Sequence, residues 1–251
     1  QIPVDKRGVD LTTSATNTGK GSFKFYAKPT LRHNPDIIII GEMRDSDSAA
    51  MATESSSIGH LVMSTIHTND CVETIERLRD LNVPNSKIAS VLKVVISQRL
   101  VKKICTVCVR EIVPTPAIPY LREYAAQIGW NKPIEFTQAT GKDAQGNTCA
   151  NCRGRAYKGR LGVFEILIIS SQLRELIHRG ATRAELRQQI IDEGFRPLFL
   201  NGLQIALDGI TSISQIIEWV GMPSPDDGCP TRQSISQVDN TKQFRKRKRG
   251  V

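Results

Sequence analysis

Aromatic residues make up only 5% of the 251 positions, and the basic residues around the cysteines are not interleaved with them. Stacking on single-stranded nucleic acid needs such interleaving, so the net charge of +9 does not by itself mark a nucleic-acid binder. No apolar run reaches the ~18 residues of a membrane span. The start, Gln1-Ile2-Pro3-Val4-Asp5, is not a charged-then-apolar leader, so no signal peptide is read and a cytoplasmic location is the default. Position 1 is not Met, which reads as a processed, truncated or partial chain. A phosphate-binding loop is also missing. Thr18-Gly19-Lys20-Gly21-Ser22 comes near, but Ser14 stands where Gly-x-x-x-x-Gly-Lys-Ser/Thr needs its first Gly, and Gly21 follows the Lys.

The charge is unevenly placed. From Met222 onward seven basic residues face three acidic ones, so +4 of the excess lies in a tail with the composition of a disordered appendage. Such a tail suits anionic lipid or nucleic acid without forming a specific site. Ahead of it, residues 1–22 read as polar strand pieces and loops. The β-branched run Asp36–Ile40, bounded by Pro35 and Gly41, predicts a buried parallel strand, and Leu61–Ile66 a second. Helices are expected over Ser46–Ser57, capped by Ser46 or Asp47, and over Val72–Leu81 and Ser86–Ser97. Leu161–Ile169 reads as a further buried strand. Helices are then expected over Gln172–His178, after the capping box Thr182-x-x-Glu185, and over Thr211–Val220.

Two Cys-x-x-Cys pairs, Cys105/Cys108 and Cys149/Cys152, stand forty residues apart. Two tight turns bring four thiolates onto one tetrahedral ion, so the spacing predicts a closed, structural zinc site. Disulfides or a redox pair are the other readings, and two matched pairs in a cytoplasmic chain fit them less well. Lys102, Lys103, Arg110 and Arg153 are near in sequence and suit a tetrathiolate; Cys71 and Cys229 read as ordinary thiols.

An acidic residue at the carboxyl end of a parallel strand faces the ligand crevice of an α/β sheet. Glu42 holds that position after four isoleucines, where it can orient or deprotonate a water, and Gly41 lets the backbone approach a phosphate. His60 and His67 bracket the second strand, and at about 3.3 Å per residue they lie roughly 23 Å apart. His67 therefore shares Glu42's edge, while His60, at the opposite edge, suits a structural role. Arg99, after Gln98, is a candidate cation near phosphate or a surface arginine.

The motifs fall in a fixed order: Arg32-x-Asn-Pro-Asp36-Ile-Ile-Ile-Ile-Gly41-Glu42-x-Arg44-Asp45, Gly59-His60-Leu-Val-x-Ser-Thr-x-His67-Thr68-Asn69, Gln98-Arg99-Leu100-Val101, the two Cys pairs, and Tyr157-Lys158-Gly159-Arg160-x-Gly162-Val-x-Glu165. From about Lys28 to Val220 this resembles the traffic ATPases of type II secretion and type IV pilus assembly, and the four cysteines resemble the extension-type members. The resemblance implies a Walker B strand ending in Glu42 as the catalytic glutamate, and a histidine box with His67 near the γ-phosphate. It makes Gly41 and Arg99 nucleotide-proximal. It also implies ATP, Mg2+ and Zn2+, a homohexamer, an inner-membrane platform protein as partner, and a cytoplasmic location peripheral at the inner membrane. Two features depart from the pattern: the family's Walker A loop and acidic box precede the Walker B strand, and Lys28-Pro29 stands where a helical Arg is usual.

The expected fold is α/β. It comprises a partial RecA-like P-loop ATPase sheet lacking the Walker A half (residues 1–104), an inserted tetracysteine zinc subdomain (105–160), a C-terminal strand and helical subdomain (161–221) and a basic tail (222–251). The expected function is a motor subunit powering secretion or pilus assembly, truncated and not autonomously active. The alternatives are a non-catalytic zinc-stabilised fragment that joins or regulates a hexamer, and a basic zinc-ribbon nucleic-acid binder; nucleic acid is not expected as a partner.

Overall fold

The computed structural model describes residues 35–118 and 120–222. The expectations for residues 1–34 and for the tail from 223 lie outside the described residues, as does Cys229. The chain divides into two compact units. Of the described residues, the first holds 35–95 together with Leu167–Asp192, and the second Ile96–Ile166 together with 193–222.

The first unit opens with β1 (Ile37–Ile40), α1 (Ser46–Ser57) and β2 (Leu61–Ser64). The strands pair in parallel, Ile37 opposite Leu61 and Ile40 opposite Ser64. A parallel pair needs a crossover, and α1 supplies it, burying Ala49, Met51 and Ala52. Its cap is Asp45 rather than the expected Ser46 or Asp47: Asp45 Oδ1 accepts from Ser48 N at 2.8 Å, and Ser48 Oγ answers Asp45 N at 3.3 Å. Gly59, at φ +108°, turns the chain from α1 into β2. The buried-strand expectation holds for one face only. Ile38 and Ile40 pack with Ala52, Met43 and Val62, whereas Ile37 and Ile39 are 52% and 62% exposed, beside exposed Leu61 and Met63. Period-two alternation sends neighbouring isoleucines to opposite faces, and the described residues cover only one.

Helices α2 (Cys71–Asp80) and α3 (Asn85–Val91) follow. The expected helix to Ser97 stops at Val91, and β3 (Val94–Ile104) begins. The β-branched run Val94-Val95-Ile96 favours an extended chain, and Ile169 N donates to Lys93 O at 2.9 Å across to the partner strand β6 (Tyr157–Ile168). With Cys105 N donating to Ala156 O at the other end, this ribbon is antiparallel. It too is one-sided: Val163, Glu165 and Leu167 are buried, and Phe164, Ile166 and Ile168 exposed. Helices α5 (Ser171–His178) and α6 (Arg183–Asp192) complete the first unit. The Thr182–Glu185 box forms as the sequence predicts, Glu185 N donating to Thr182 Oγ1 and Thr182 N to Glu185 Oε2.

In the second unit β4 (Arg110–Val113) and β5 (Phe136–Ala139) pair antiparallel around α4 (Leu121–Gln127). The sequence, read as lacking periodicity there, had shown none of these three. Another omission is α7 (Leu198–Leu207), which buries Leu198, Phe199, Leu200 and Leu203 and leaves Asn201 and Gln204 on its more open face. These two are its polar residues, and a helix with an apolar stripe that wide offers little contrast to read. Together with α8 (Ile213–Trp219) it packs on Phe136, Val163 and Tyr124, and the Tyr124 and Phe199 rings meet edge-on at 5.6 Å. Glu165, buried in β6, accepts from Leu198 N at 2.9 Å, satisfying an end donor of a helix whose preceding residue, Pro197, offers no side-chain cap. Glu165→Ala is expected to lower the stability of this unit by about 1–3 kcal/mol, and Glu165→Gln by less; urea unfolding followed by tryptophan fluorescence measures both.

Candidate functional site

The parallel register puts the carboxyl ends of β1 and β2 at one edge. There the pairing continues past the strands: Thr65 Oγ1 donates to Gly41 O at 2.6 Å, and Met43 N to Thr65 O at 2.9 Å. These bonds hold Gly41-Glu42-Met43 alongside Thr65-Ile66-His67. Glu42, 18% exposed, engages both carboxylate oxygens: Oε1 lies 2.8 Å from His67 Nε2 and Oε2 2.5 Å from Arg44 Nε. The two residues meet as their shared edge predicts. Glu42, Met43, Arg44 and His67 line a cleft of about 340 Å³, joined by Arg77 of α2. Arg77 had carried no signal in the sequence beyond being a basic residue in a helix, and Arg44 was only a motif position.

His60 sits at the other edge, its Nδ1 2.6 Å from Pro35 O, tying the start of β2 to the chain entering β1. That contact is structural, as its position implied. Arg99 lies on β3 in the second unit, half-buried, with Nη1 donating to Gln98 O at 3.0 Å.

The four cysteines form a second centre. Cys105, Cys108, Cys149 and Cys152 are all buried, and their sulfurs lie within 4.8 Å of one another. Cys108 and Cys152 Sγ are 3.3 Å apart, far beyond the ~2.05 Å of a disulfide. A tetrahedral ion at ~2.3 Å from each sulfur spaces the sulfurs about 3.8 Å apart, so the donor set fits zinc. The turns that make it are specific. Cys149 N donates to Gly141 O at 2.8 Å, and Arg153, Gly154 and Ala156 all take positive φ after Cys152. Burial pushes the Cys105 thiol up most strongly, but the N–H groups of Val107 and Cys108 and the Asn151 amide outweigh it together, and its pKa falls to about 6. Cys108 goes the other way, raised by burial and then by the neighbouring thiols. Four sulfurs this close are not all anionic without a cation among them.

Around the sulfurs the structure departs from the neighbours the sequence offered. Lys102 sits over the Tyr157 ring, and Arg110 donates to Gly209 O. Asn151 is the close polar partner instead. Its Nδ2 donates to Cys105 Sγ at 3.2 Å, and its Oδ1 is held by Lys158 Nζ at 2.5 Å. The signal was its place inside the second Cys-x-x-Cys turn. Cys71 is buried, with Sγ 3.5 Å from Val95 O, and stands apart from this cluster. A Cβ on Gly141, at φ +78°, would lie 2.4 Å from Gly154 O. Gly141→Ala is therefore expected to spring the turn that presents Cys149. Loss of bound zinc to a chelator should be about tenfold faster, read with a colorimetric indicator.

With both centres described, the relatives can be placed. The family described as Type II/IV secretion system protein matches residues 7–218. The chain is 36% identical over 216 residues to the type IV pilus assembly ATPase PilB of Thermus thermophilus, covering 86% of this chain and 23% of that protein. It is 35% identical over 193 residues to the type II secretion system protein E of Klebsiella pneumoniae, covering 77% and 36%. In fold it is similar to the pilus retraction motor PilT with bound ADP (TM-score 0.53, 22% identity, 82% of this chain and 45% of that one). It is likewise similar to the ATPase DotB of Yersinia pseudotuberculosis (TM-score 0.51, 20% identity, 80% and 40%). The chain belongs to the type II/IV secretion system protein family, with the α/β fold of its ATPases. It spans less than half the length of these relatives.

Proposed function

We propose that the chain carries the water-activating side of an ATP-hydrolysing motor for type II secretion or type IV pilus assembly, in a homohexamer acting on an inner-membrane platform protein. The observation that carries this is the Glu42–His67 pair, held at one sheet edge by the register of β1 and β2. Glu42 takes the proton of the attacking water, and His67 Nε2, 2.8 Å away, steadies the carboxylate. To accept that proton Glu42 gives up one contact; both partners are exposed, Arg44 at 75% and His67 at 87%, and we assign the release to Arg44, whose guanidinium then swings toward phosphate. Mg-ATP supplies the electrophile and its charge neutralisation. The 251 residues hold no Gly-x-x-x-x-Gly-Lys-Ser/Thr, so we assign the grip on the β- and γ-phosphates to residues outside them. Gly41 and Arg99 are read as nucleotide-proximal on the family's pattern.

Zinc on Cys105, Cys108, Cys149 and Cys152 has a structural role, since four thiolates leave no open coordination position. It ties the two ends of the 105–160 segment to each other. No described helix is long and apolar enough to cross a membrane. On the family's pattern, and not from that absence, we assign the protein to the cytoplasmic side, peripheral to the inner membrane. The test is steady-state ATP turnover by the 251-residue chain produced together with the part that carries a phosphate-binding loop. Magnesium-dependent turnover is expected, and nucleotide binding without turnover overturns the reading.

A further inference from the structure

The His67 ring is 87% exposed, so packing does not fix its place against Glu42; the backbone must. On one side that backbone is held at Thr65 by the bonds to Gly41 and Met43. On the other it runs three residues, at most ~11 Å, to Asp70, the cap of α2. Asp70 Oδ1 accepts from Glu73 N at 2.7 Å, which meets the capping need. Its Oδ2 is then taken by two guanidinium groups, Arg183 Nη2 and Arg187 Nη2, each at 2.7 Å.

Those arginines come from α6, 113 and 117 residues further along, and lie four apart on one face of it. Arg183 also reaches Glu76 Oε2 on α2 at 3.7 Å. The contact is shielded, with Arg187 15% and Asp70 24% exposed, so it is not a loose surface pair. A cap alone needs neither arginine, since Asn or Ser would serve. Between Thr65 and Asp70, Thr68 Oγ1 meets Thr74 Oγ1 at 3.0 Å and Asn69 N donates to Glu73 Oε2 at 2.7 Å. The loop bearing His67 is thus tied to α2, and α2 is tied to α6.

The geometry points to Asp70, Arg183 and Arg187 as a positioning clamp through which α6 sets His67 against Glu42. Asp70, Arg183 and Arg187 touch no reacting atom. They act through the loop, so a displacement of α6 is passed to the His67 ring. This rests on reading Glu42 and His67 as the hydrolytic pair.

The test is long-range ¹H–¹⁵N correlation spectroscopy of the histidine rings in the 251-residue chain without nucleotide. Glu42→Gln supplies the reference for a His67 without its carboxylate, and His67→Gln assigns the signals. In Arg183→Gln/Arg187→Gln the His67 signals are expected to move most of the way to the Glu42→Gln position, with the rest of the spectrum native. Asp70→Asn, which keeps a capping oxygen but loses the charge, should do the same if the double variant fails to fold. An ion pair that merely staples α2 to α6 would lower the melting temperature and leave His67 where it is. Unmoved His67 signals in a folded variant overturn the proposal. So do wild-type signals that already coincide with Glu42→Gln, or loss of the native spectrum in both variants. Because no ATP is present, a failure here is separate from a failure of the turnover test.

Discussion

Glu42→Gln is expected to lower ATP turnover by at least about 100-fold while leaving Mg-ATP binding within about threefold. The exchange is nearly isosteric. A glutamine still accepts from Arg44, whose Nε lies 2.5 Å from the present carboxylate, and its amide still reaches His67. Shape and most contacts survive; what disappears is an oxygen able to take a proton. The loss should therefore fall on kcat rather than on binding. Turnover measured in protein with a complete phosphate-binding loop, beside titration with a fluorescent ATP analogue, separates the two. Equal turnover in the variant would remove Glu42 from the chemistry and leave the edge cleft without a base.

The second large effect concerns metal. About one zinc per chain is expected in protein purified without chelator, and Cys149→Ser should leave almost none. Structural zinc contributes on the order of 10 kcal/mol in small domains, and this site sits in one of the chain's smaller cores. Among the described residues, the cluster of Cys105, Cys108, Cys149 and Cys152 has Ile104, Ala139, Ala156 and Tyr157 as its apolar company. Without the ion the turns at Gly141 and Gly154 have little else to hold them. The β4–β5 pair, which continues into that loop through Val109 N to Lys142 O at 3.0 Å, should loosen with it. Metal analysis and circular dichroism check this. A full complement of secondary structure and an unchanged melting temperature in Cys149→Ser would count against a structural role.

The sequence announced both centres for the same physical reason: each depends on local spacing. Two Cys-x-x-Cys turns place four sulfurs whatever the intervening forty residues do. A short β-branched strand ending in Gly-Glu places its acid at the crevice edge once the strand pairs in parallel. The misses depended on distant partners. Val95 and Ile96 continue the apolar face of the expected Ser86–Ser97 helix until their strand pairs with β6. The α7 helix has an apolar stripe too wide to read as amphipathic because it packs in one core with Phe136, Val163 and α8. Arg77, Arg183, Arg187 and Asn151 were ordinary polar positions, given meaning only by what the fold sets opposite them. Asp45 displaced Ser46 as the cap by a single residue, a shift that side-chain preferences alone do not decide.

The uncovered face of β1 and β2 has a practical side. Ile37, Ile39, Leu61 and Met63 form a patch of bulky apolar side chains on a two-stranded sheet, and its described strand edges offer N–H and C=O groups to any incoming strand. A fragment cut to the described residues alone would present that patch to its neighbours in solution. Its shelf life would then be set by concentration, through self-association into β-rich aggregate, well before thermal unfolding became limiting.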